Sequence, residues 1–437
     1  MKKILLTIII TFSFIQAEEW IYFNNMTNYE WGVGMDFSVS RISPDGEISE
    51  TVLEDVSYTD ISNDGSRLLY LEYEQFEGPS WVGYEVVGFS IYNTETMETI
   101  SSITGIQPST PKFTHDEDVV LYLEGSQYSP TQTLYKYSFS DSSSTMLSDS
   151  LSIGFDNMTM SPDGQQVVFF KVTHDENTED DFIDVDVIVS DIQSGESTLL
   201  TTIPYFDIAS NAGGMFNNNP YWSDDGFIYL SFLAGNCSEL FAIHSTMGYV
   251  MQLTDNPCSG IGAYCVTSIL RTHETNLDKF IYTTCGDNYG HWIYDIESGE
   301  SSYLGSFNPE GGVSIALDQT WSPDRSKVAF SEWLYGGMIA VPGYMRVYDT
   351  VTESIDTVGN DLNTDDPESY YAASPIKWIT DSLAGDVNGD GILNISDIVI
   401  IVNMILSGES NSSADYNGDG NVNVVDVVAI VQAILGN

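Results

Sequence analysis

Two twelve-residue segments near the end of the chain, residues 386–397 and 415–426, carry the same oxygen-bearing residues 29 positions apart. Aspartate or asparagine occupies positions 1, 3, 5, 9 and 12 of each segment, and glycine occupies position 6. Calcium takes about six to eight oxygen ligands, and loops of this length supply them from positions 1, 3, 5, 7, 9 and 12. Position 7 needs only a backbone carbonyl, and the glycine permits a sharp turn. We therefore expect each segment to bind one calcium ion.

The predicted ligands form two equivalent sets. The first set is Asp386, Asn388, Asp390, Ile392, Asn394 and Asp397. The second set is Asp415, Asn417, Asp419, Asn421, Asn423 and Asp426. Each loop leads into an apolar segment with helical spacing, residues 398–406 and 427–435, and residues 407–414 link the two halves.

This duplicated loop and helix resembles a type I dockerin, the module that attaches secreted proteins to cohesins. Position 12 is Asp rather than the Glu of an ordinary EF-hand, and Ala384 and Gly385 enter the first loop with no preceding helix. The resemblance implies a small all-α domain over residues 385–437 that binds two calcium ions and a cohesin-bearing scaffold or surface protein. The alternative is a calcium-stabilised helical cap without a partner, which would still need the metal to fold.

The resemblance also implies which residues contact the cohesin, namely loop positions 10 and 11 and one residue of each following helix. These residues are Ile395, Ser396, Asn403, Val424, Val425 and Gln432. Many dockerins carry Ser-Thr pairs and basic residues there, so we expect an unusually apolar and uncharged contact surface in this chain. The internal repeat would allow binding in either of two orientations.

The N-terminal residues have the pattern of a secretory signal peptide. Lys2 and Lys3 precede an apolar run over residues 4–15, and Ala17 precedes two glutamates. The apolar run is too short to span a membrane comfortably. We therefore expect residues 1–17 to be removed and the protein to be secreted and extracellular, without membrane insertion.

The charge of the chain limits its partners. Thirteen Lys and Arg residues stand against 64 Asp and Glu residues, which gives a formal net charge of -51. Such a chain will not bind nucleic acid or an anionic membrane by electrostatics. A hydrophobic content of 42% nevertheless indicates a folded protein.

Residues 18–384 repeat a polar turn followed by an apolar strand. The seven turns begin at Ile61, Phe113, Met160, Trp222, Leu270, Trp321 and Trp378. Their spacing of about fifty residues lies in the range of propeller blades. A second hairpin follows in each unit, and four strands repeated radially make a β-propeller, so we predict a mainly β fold.

The turns at residues 160–164 and 321–325, each with the apolar strand after it, resemble those of the TolB-like propeller family. We predict seven blades, or six if the degenerate unit near residue 270 is not a true blade. The last turn has only an inner strand, residues 375–378, before the dockerin-like segment. Residues 20–23, 37–42 and 47–53 read as the three missing strands, so the two ends should share one blade and leave no open sheet edge.

Four cysteines fall in loops that the predicted topology places on one face of the propeller. They are Cys237, Cys258, Cys265 and Cys285. In a secreted chain this indicates two disulfides. Three pairings are possible, of which we favour Cys237–Cys258 with Cys265–Cys285.

Aromatic residues concentrate in the same class of loop on three neighbouring blades. They are Tyr29, Trp31, Phe76, Trp81, Tyr84, Trp333, Tyr335 and Tyr344. Such rings suit stacking on the apolar faces of sugars, which predicts a carbohydrate-binding face. The alternative is that the rings only pack long loops against the blades.

The sequence shows no nucleophile elbow, HExxH motif or spaced His and Cys metal set, so catalytic residues are unknown. We therefore predict a binding module that a dockerin delivers to a cohesin-bearing complex for polysaccharide recognition or degradation. The alternative is a glycoside hydrolase or polysaccharide lyase whose active site lies on the propeller. With 64 acidic residues, no carboxylate pair is diagnostic of either.

Overall fold

The computed structural model describes most of the chain between residues 15 and 435. The exceptions are residues 17, 31–33, 63–64, 78–81, 95, 117, 126–131, 152–157, 175–182, 206–219, 235–236, 256–267, 271, 273, 275–276, 285–289, 306–312, 316–317, 337–338, 359–371, 381–383, 389–391, 409–411 and 418–419. The chain divides into two compact units, residues 21–378 and residues 379–437 with 1–20.

The described residues of the larger unit form seven antiparallel sheets, which we number as blades in chain order. Blade 1 contains Ser57–Ile61, Arg67–Glu77, Val82–Asn93 and Glu98–Thr104. Blade 2 contains Pro108–Phe113, Val119–Glu124, Gln132–Ser138 and Ser143–Leu151. Blade 3 contains Met158–Met160, Gln166–His174, Ile183–Asp191 and Ser197–Tyr205.

The next three blades follow the same plan. Blade 4 contains Tyr221–Trp222, Phe227–Ala234, Cys237–His244 and Val250–Gln252. Blade 5 contains Ser268–Ile269, Lys279–Thr284, Gly290–Asp295 and Glu300–Gly305. Blade 6 contains Lys327–Gly336, Ile339–Asp349 and Ser354–Val358, and two short strands, Val313–Ile315 and Gln319–Trp321, pair with the first of these.

Blade 7 joins the two ends of the propeller sequence. Its strand order is Ala372–Thr380, Glu19–Glu30, Gly34–Ile42 and Ser49–Glu54. The predicted shared blade is therefore confirmed, although its first three strands run beyond the predicted apolar runs because strand pairing continues past the buried residues. Blade 5 is a complete blade, which confirms seven blades and excludes the six-bladed alternative.

The apolar core lies between neighbouring blades. In one cluster, Leu69 and Phe89 of blade 1 lie with Phe113, Val120 and Tyr122 of blade 2, all 5% exposed or less. Because each blade buries a face against the next, the ring is continuous only if blade 7 is complete. A corresponding cluster joins residues of blades 6 and 7.

Buried polar side chains connect the inner strands across blade boundaries. The Gln319 amide accepts from the Ile281 backbone N–H at 2.8 Å and donates to the Leu270 carbonyl at 2.8 Å, linking blades 6 and 5. The ammonium of Lys377 donates to the Ile61 carbonyl at 2.9 Å, linking blade 7 to blade 1. These bonds fix the inner strands in register around the ring.

The recurring turn between the first and second strands is stabilised by its own side chains. In blade 3, Ser161 Oγ donates to Asp163 at 2.6 Å and accepts from the Gln166 backbone N–H at 2.9 Å. Asp163 also accepts from the Gln165 N–H at 3.0 Å, and Gly164 takes a φ of 67°. The serine and aspartate thus replace backbone partners that the tight turn cannot supply.

The smaller unit contains two α-helices, α1 (Ile395–Ser407) and α2 (Val424–Ile434), and a short 3₁₀ helix, Ser412–Ala414. Ile392–Leu393 pairs antiparallel with Ile15–Gln16. Most of the predicted signal peptide lies outside the described residues, and its removal stays a prediction. Among the described residues, neither helix is long and apolar enough to cross a membrane.

The aspartates of the turns should make the propeller sensitive to acid. The hydroxyl of Ser161 holds the pKa of Asp163 below its ordinary value, and Ser43 has the same effect on the pKa of Asp45. A carboxyl whose pKa is lowered by folding stabilises the folded state above the unfolded pKa of about 3.9, and this contribution is lost as the pH falls through the folded pKa.

We therefore expect Asp163→Asn to lower the urea midpoint of the propeller at pH 7, with the difference from the parent protein shrinking below about pH 4. Glu297→Gln removes one charge from an exposed turn and serves as the control for net charge. A constant difference between Asp163→Asn and the parent protein from pH 7 to pH 3 would show that the carboxylate charge has no such role.

Candidate calcium sites and docking face

Both predicted loops close on an aspartate that has no solvent exposure. Asp397 and Asp426 are each 0% exposed, although each lies in the first turn of its helix. The two carboxylates accept from the backbone N–H groups of Asn394 at 2.9 Å and Asn423 at 2.8 Å. The same asparagines accept from the helix N–H groups in return, which completes a capping box at each helix start.

The buried carboxylates also bind the beginning of their loops. Asp397 Oδ1 accepts from the Val387 N–H at 3.2 Å, and Asp426 Oδ1 accepts from the Asn417 N–H at 3.2 Å. The carboxylate at position 12 therefore accepts hydrogen bonds from backbone N–H groups at position 2 or 3, at the other end of the loop. This contact curls each loop into the closed form that a bound cation requires.

The other predicted ligands distribute as follows. Asp386, Asn394, Asp415 and Asn423 are half-buried, and Asn388, Asn417 and Asn421 are exposed. Ile392 is described only in its backbone, as part of a short strand, and its predicted contribution is a backbone carbonyl. Asp390 and Asp419 lie outside the described residues. In the described part of the chain no three His, Cys, Asp or Glu residues cluster. Without Asp390 and Asp419, each loop has only two described carboxylates.

The electrostatics of the segment favour a bound cation. Residues 384–437 contain seven Asp and Glu residues but no Lys, Arg or His. A buried carboxylate is costly unless it is paired or bound to a metal, and this segment has no basic side chain of its own to pair with Asp397 or Asp426. Hard carboxylate and amide oxygens around a glycine-containing loop match calcium. The residues present therefore fit the ion.

The helices pack around a small apolar core that holds the loops together. Its buried members include Leu393, Ile401, Ala414 and Ile430. Gly385 lies against this core with a φ of 86°, where a Cβ would come within 3.0 Å of side-chain atoms of three residues, Leu393, Tyr416 and Ile430. Glycine at this position thus allows the chain to enter the first loop.

The outer face of each helix is also apolar. We call the residues Ile395, Val399, Val402 and Leu406 the first stripe, and Val424, Val428, Val431 and Leu435 the second stripe. Each stripe repeats at helical spacing, and the two stripes match position by position in the 29-residue repeat. Exposure ranges from 36% at Val431 to 79% at Leu406.

The predicted cohesin-contact residues all lie on the surface of these helices: Ile395, Ser396, Asn403, Val424, Val425 and Gln432 are exposed. Sequence reasoning did not identify six members of the stripes, namely Val399, Val402, Leu406, Val428, Val431 and Leu435. The helices are apolar on nearly every side, so their periodicity did not separate the inner from the outer face. The two helices contain more aliphatic residues than a two-helix core can bury. This excess was the sequence feature that could have indicated an exposed apolar face.

The predicted features of the propeller face lie largely outside the described residues. Trp31, Trp81, Cys258, Cys265 and Cys285 are not described, and Tyr29, Phe76, Tyr84, Cys237, Trp333, Tyr335 and Tyr344 are described only in their backbone, within strands. The sugar-stacking face and the disulfides therefore stay predictions.

One buried histidine in the propeller has a strongly altered pKa. His291 of blade 5 is 0% exposed, and burial lowers its pKa to about 4. Its Nδ1 lies 3.2 Å from Thr283 Oγ1, and its ring lies against Phe330 with 5.8 Å between the centroids. A neutral imidazole in an apolar contact of this kind is part of the core between blades 5 and 6.

The C-terminal unit is thus a duplicated loop-and-helix module, and its pattern is shared by a known family. Residues 384–435 match the family model described as "Dockerin type I domain". The segment is therefore a type I dockerin domain, which confirms the resemblance seen in the sequence. Domains of this family generally bind calcium and cohesin-bearing partners.

Several solved structures resemble about four fifths of the chain. Oligogalacturonate lyase from Vibrio parahaemolyticus is 12% identical, with 80% of this chain and 88% of that chain covered and a TM-score of 0.46. TolB from Acinetobacter baumannii is 12% identical, with 82% and 83% covered and a TM-score of 0.40. The β-propeller domain of the Trilobed protease from Pyrococcus furiosus is 11% identical, with 81% and 100% covered and a TM-score of 0.49.

These similarities concern the propeller fold, and we draw no activity from them. A search of curated proteins found no match to the chain. The seven-bladed architecture rests on the hydrogen-bonded sheets of the chain itself.

The two loops should each account for one calcium ion. We expect the full chain to bind two calcium ions in a calorimetric titration, and Asp397→Ala or Asp426→Ala each to remove one. Deleting either carboxylate removes both a ligand and the contact that closes its loop. Asp45→Ala, in a propeller turn, is the control and should leave both ions bound. Retention of two ions by Asp397→Ala would exclude this residue as a ligand.

Proposed function

We propose that this protein is a secreted attachment protein, in which a dockerin loaded with two calcium ions binds a cohesin and carries a propeller that recognises polysaccharide. The observation that carries the proposal is the combination of two buried aspartates and two matched apolar stripes in the C-terminal unit. The buried aspartates support calcium binding, and the exposed apolar stripes support binding of a partner protein. The signal-peptide pattern and the acidic composition support an extracellular location.

The dockerin family supports the cohesin as the partner, and the stripes indicate the nature of the contact. A contiguous exposed apolar face on a small module generally marks an interaction site. The contact surface carries aliphatic and amide side chains in place of the basic residues that many dockerins present. Burial of aliphatic area, rather than charge pairing, should therefore dominate this attachment.

The matched stripes should act as alternatives to each other. Val399→Asp disturbs the first stripe and Val428→Asp the equivalent position of the second. We expect each single variant to keep most of its affinity by binding through the other half, and the double variant to lose at least roughly 30-fold, the scale of an interface hot spot. Val351→Asp, at a propeller turn where the valine is 78% exposed, makes the same change outside the dockerin.

Cohesin capture can be measured by surface plasmon resonance with a panel of immobilised cohesin domains. Binding should require calcium, and its affinity should change less than tenfold between 50 mM and 1 M sodium chloride, because screening acts on charges and not on apolar burial. Full binding by the double variant, or by the protein in excess chelator, would overturn the assignment of this face.

The catalytic alternative is tested on the same protein. Incubation with a panel of neutral and anionic polysaccharides, followed by assays for new reducing ends and for unsaturated sugars, separates a hydrolase or lyase from a binding module. We expect retention on at least one polysaccharide without release of either product. Release of either product by the intact chain would replace the binding function with an enzymatic one.

A further inference from the structure

One face of blade 5 carries aromatic rings on three consecutive strands. Phe280 and Tyr294 stack with 5.1 Å between ring centroids, and Tyr282 and Trp292 stack at 6.5 Å. Trp292 then contacts Tyr303 at 4.9 Å. In the sheet register, Trp292 pairs with Tyr282 on one side and with Tyr303 on the other. These last three residues therefore form one row across the blade.

The aromatic rings on this face extend from the core to the surface. Phe280 is 0% exposed and Tyr282 is 3% exposed, whereas Trp292 is half-buried and Tyr303, on the outermost strand, is 52% exposed. The inner rings are part of the core cluster shared with blade 4. The outer ring is thus supported by a packed aromatic neighbour while about half of its surface meets solvent.

Hydrogen bonds hold the row in place. Trp292 Nε1 donates to Thr284 Oγ1 at 3.0 Å, and the Tyr282 hydroxyl donates to Ser301 Oγ at 3.0 Å. The indole that supports Tyr303 therefore has a fixed orientation. An aromatic ring pre-positioned in this way loses little conformational entropy when a ligand stacks on it.

Glycine makes room for the outer ring. Gly290 has a φ of 149°, and a Cβ at this position would overlap the ring of Tyr303 and come within 2.8 Å of its hydroxyl oxygen. The same Cβ would lie 2.9 Å from the Gly305 carbonyl oxygen. The ring therefore lies directly over the backbone of the third strand, in a space that any other residue at position 290 would fill.

We propose that Tyr303, supported by Trp292 and seated over Gly290, is a stacking platform for a pyranose ring of a neutral polysaccharide. Sugar rings present an apolar C–H face to an aromatic ring, and their hydroxyl groups need hydrogen-bonding neighbours. Ser301 is exposed and lies two positions before Tyr303, on the same face of the strand. This proposal rests on the proposed role of the propeller in polysaccharide recognition.

The charge of the protein selects the class of polysaccharide. A chain with a formal net charge of -51 repels anionic polymers, and this repulsion opposes binding of uronic acid chains. Binding of a neutral polysaccharide is not opposed by this repulsion. The geometry and the charge together therefore point to neutral glycans rather than to polyuronates.

The test is affinity electrophoresis of the full chain in gels that contain galactomannan, xyloglucan or polygalacturonate. We expect at least one neutral polysaccharide to retard the parent protein, Tyr303→Ala to weaken its binding at least tenfold, and Tyr303→Phe to retain it. Gly290→Ala should also weaken binding, because the added Cβ displaces the ring. Tyr249→Ala is the matched control: this tyrosine of blade 4 is 43% exposed and its ring lies against Phe227.

Thermal melting of each variant separates loss of the platform from loss of the fold. Equal retardation of the parent protein and a folded Tyr303→Ala variant would overturn this proposal and leave the proposed function intact. Absence of retardation by both neutral polysaccharides would overturn it too, and cohesin capture by the same preparation would show whether the attachment function survives. Retardation by polygalacturonate that depends on Tyr303 would overturn the assignment to neutral glycans.

Discussion

The C-terminal unit depends on two carboxylates that are removed from water. Asp397 and Asp426 are both 0% exposed, and each connects the start of a helix to the start of its loop. Backbone N–H groups donate to each carboxylate, and residues 384–437 contain no basic side chain to neutralise its charge. Calcium binding would therefore be coupled to folding of the dockerin, as in other small metal-binding domains. Without the ion, the burial of very few apolar residues would have to offset the desolvation cost of two carboxylates.

The same constraint explains how so small a domain can present an apolar surface. The inner face of each helix makes the core, with Ile401 and Ile430 both 0% exposed. A two-helix domain of this size gains little from burial alone, so a bound metal would supply much of its stability. The outer stripes would then be available for a partner, because their side chains are 36% to 79% exposed. The 29-residue repeat makes the two stripes closely similar, which would allow the two binding orientations that we propose.

Much of the architecture could be predicted from the sequence, because its signals are local. The calcium loops are defined by residue types within twelve positions, and the propeller turns by serine, aspartate and glycine within five, as in residues 160–164. Closure of the ring by the strands Ala372–Thr380 and Glu19–Glu30 was also predictable, since an incomplete last unit and an unmatched first unit must complete each other. The strand ends were less accurate, because strand pairing extends beyond the apolar runs that revealed the strands.

Two surfaces could not be found in this way, for different physical reasons. The helical stripes were hidden because nearly every position of both helices is apolar, so sequence periodicity could not distinguish core from surface. The Tyr282–Trp292–Tyr303 row depends on the register between three strands, which is a nonlocal property. Gly290, which gives Tyr303 its space, looks like an ordinary loop glycine until that register is known. Of the aromatic residues that the sequence did single out, six lie in strands where only the backbone is described, and Trp31 and Trp81 lie outside the described residues.

The central claim, that two buried aspartates hold calcium and so make the tail a docking domain, can be tested directly by a crystal structure of the calcium-bound protein. We expect two anomalous difference peaks, one in each loop, with oxygen atoms of Asp397 and Asp426 about 2.3–2.6 Å from the respective peaks. Density maps without a metal peak in either loop, in crystals grown in millimolar calcium, would contradict the account.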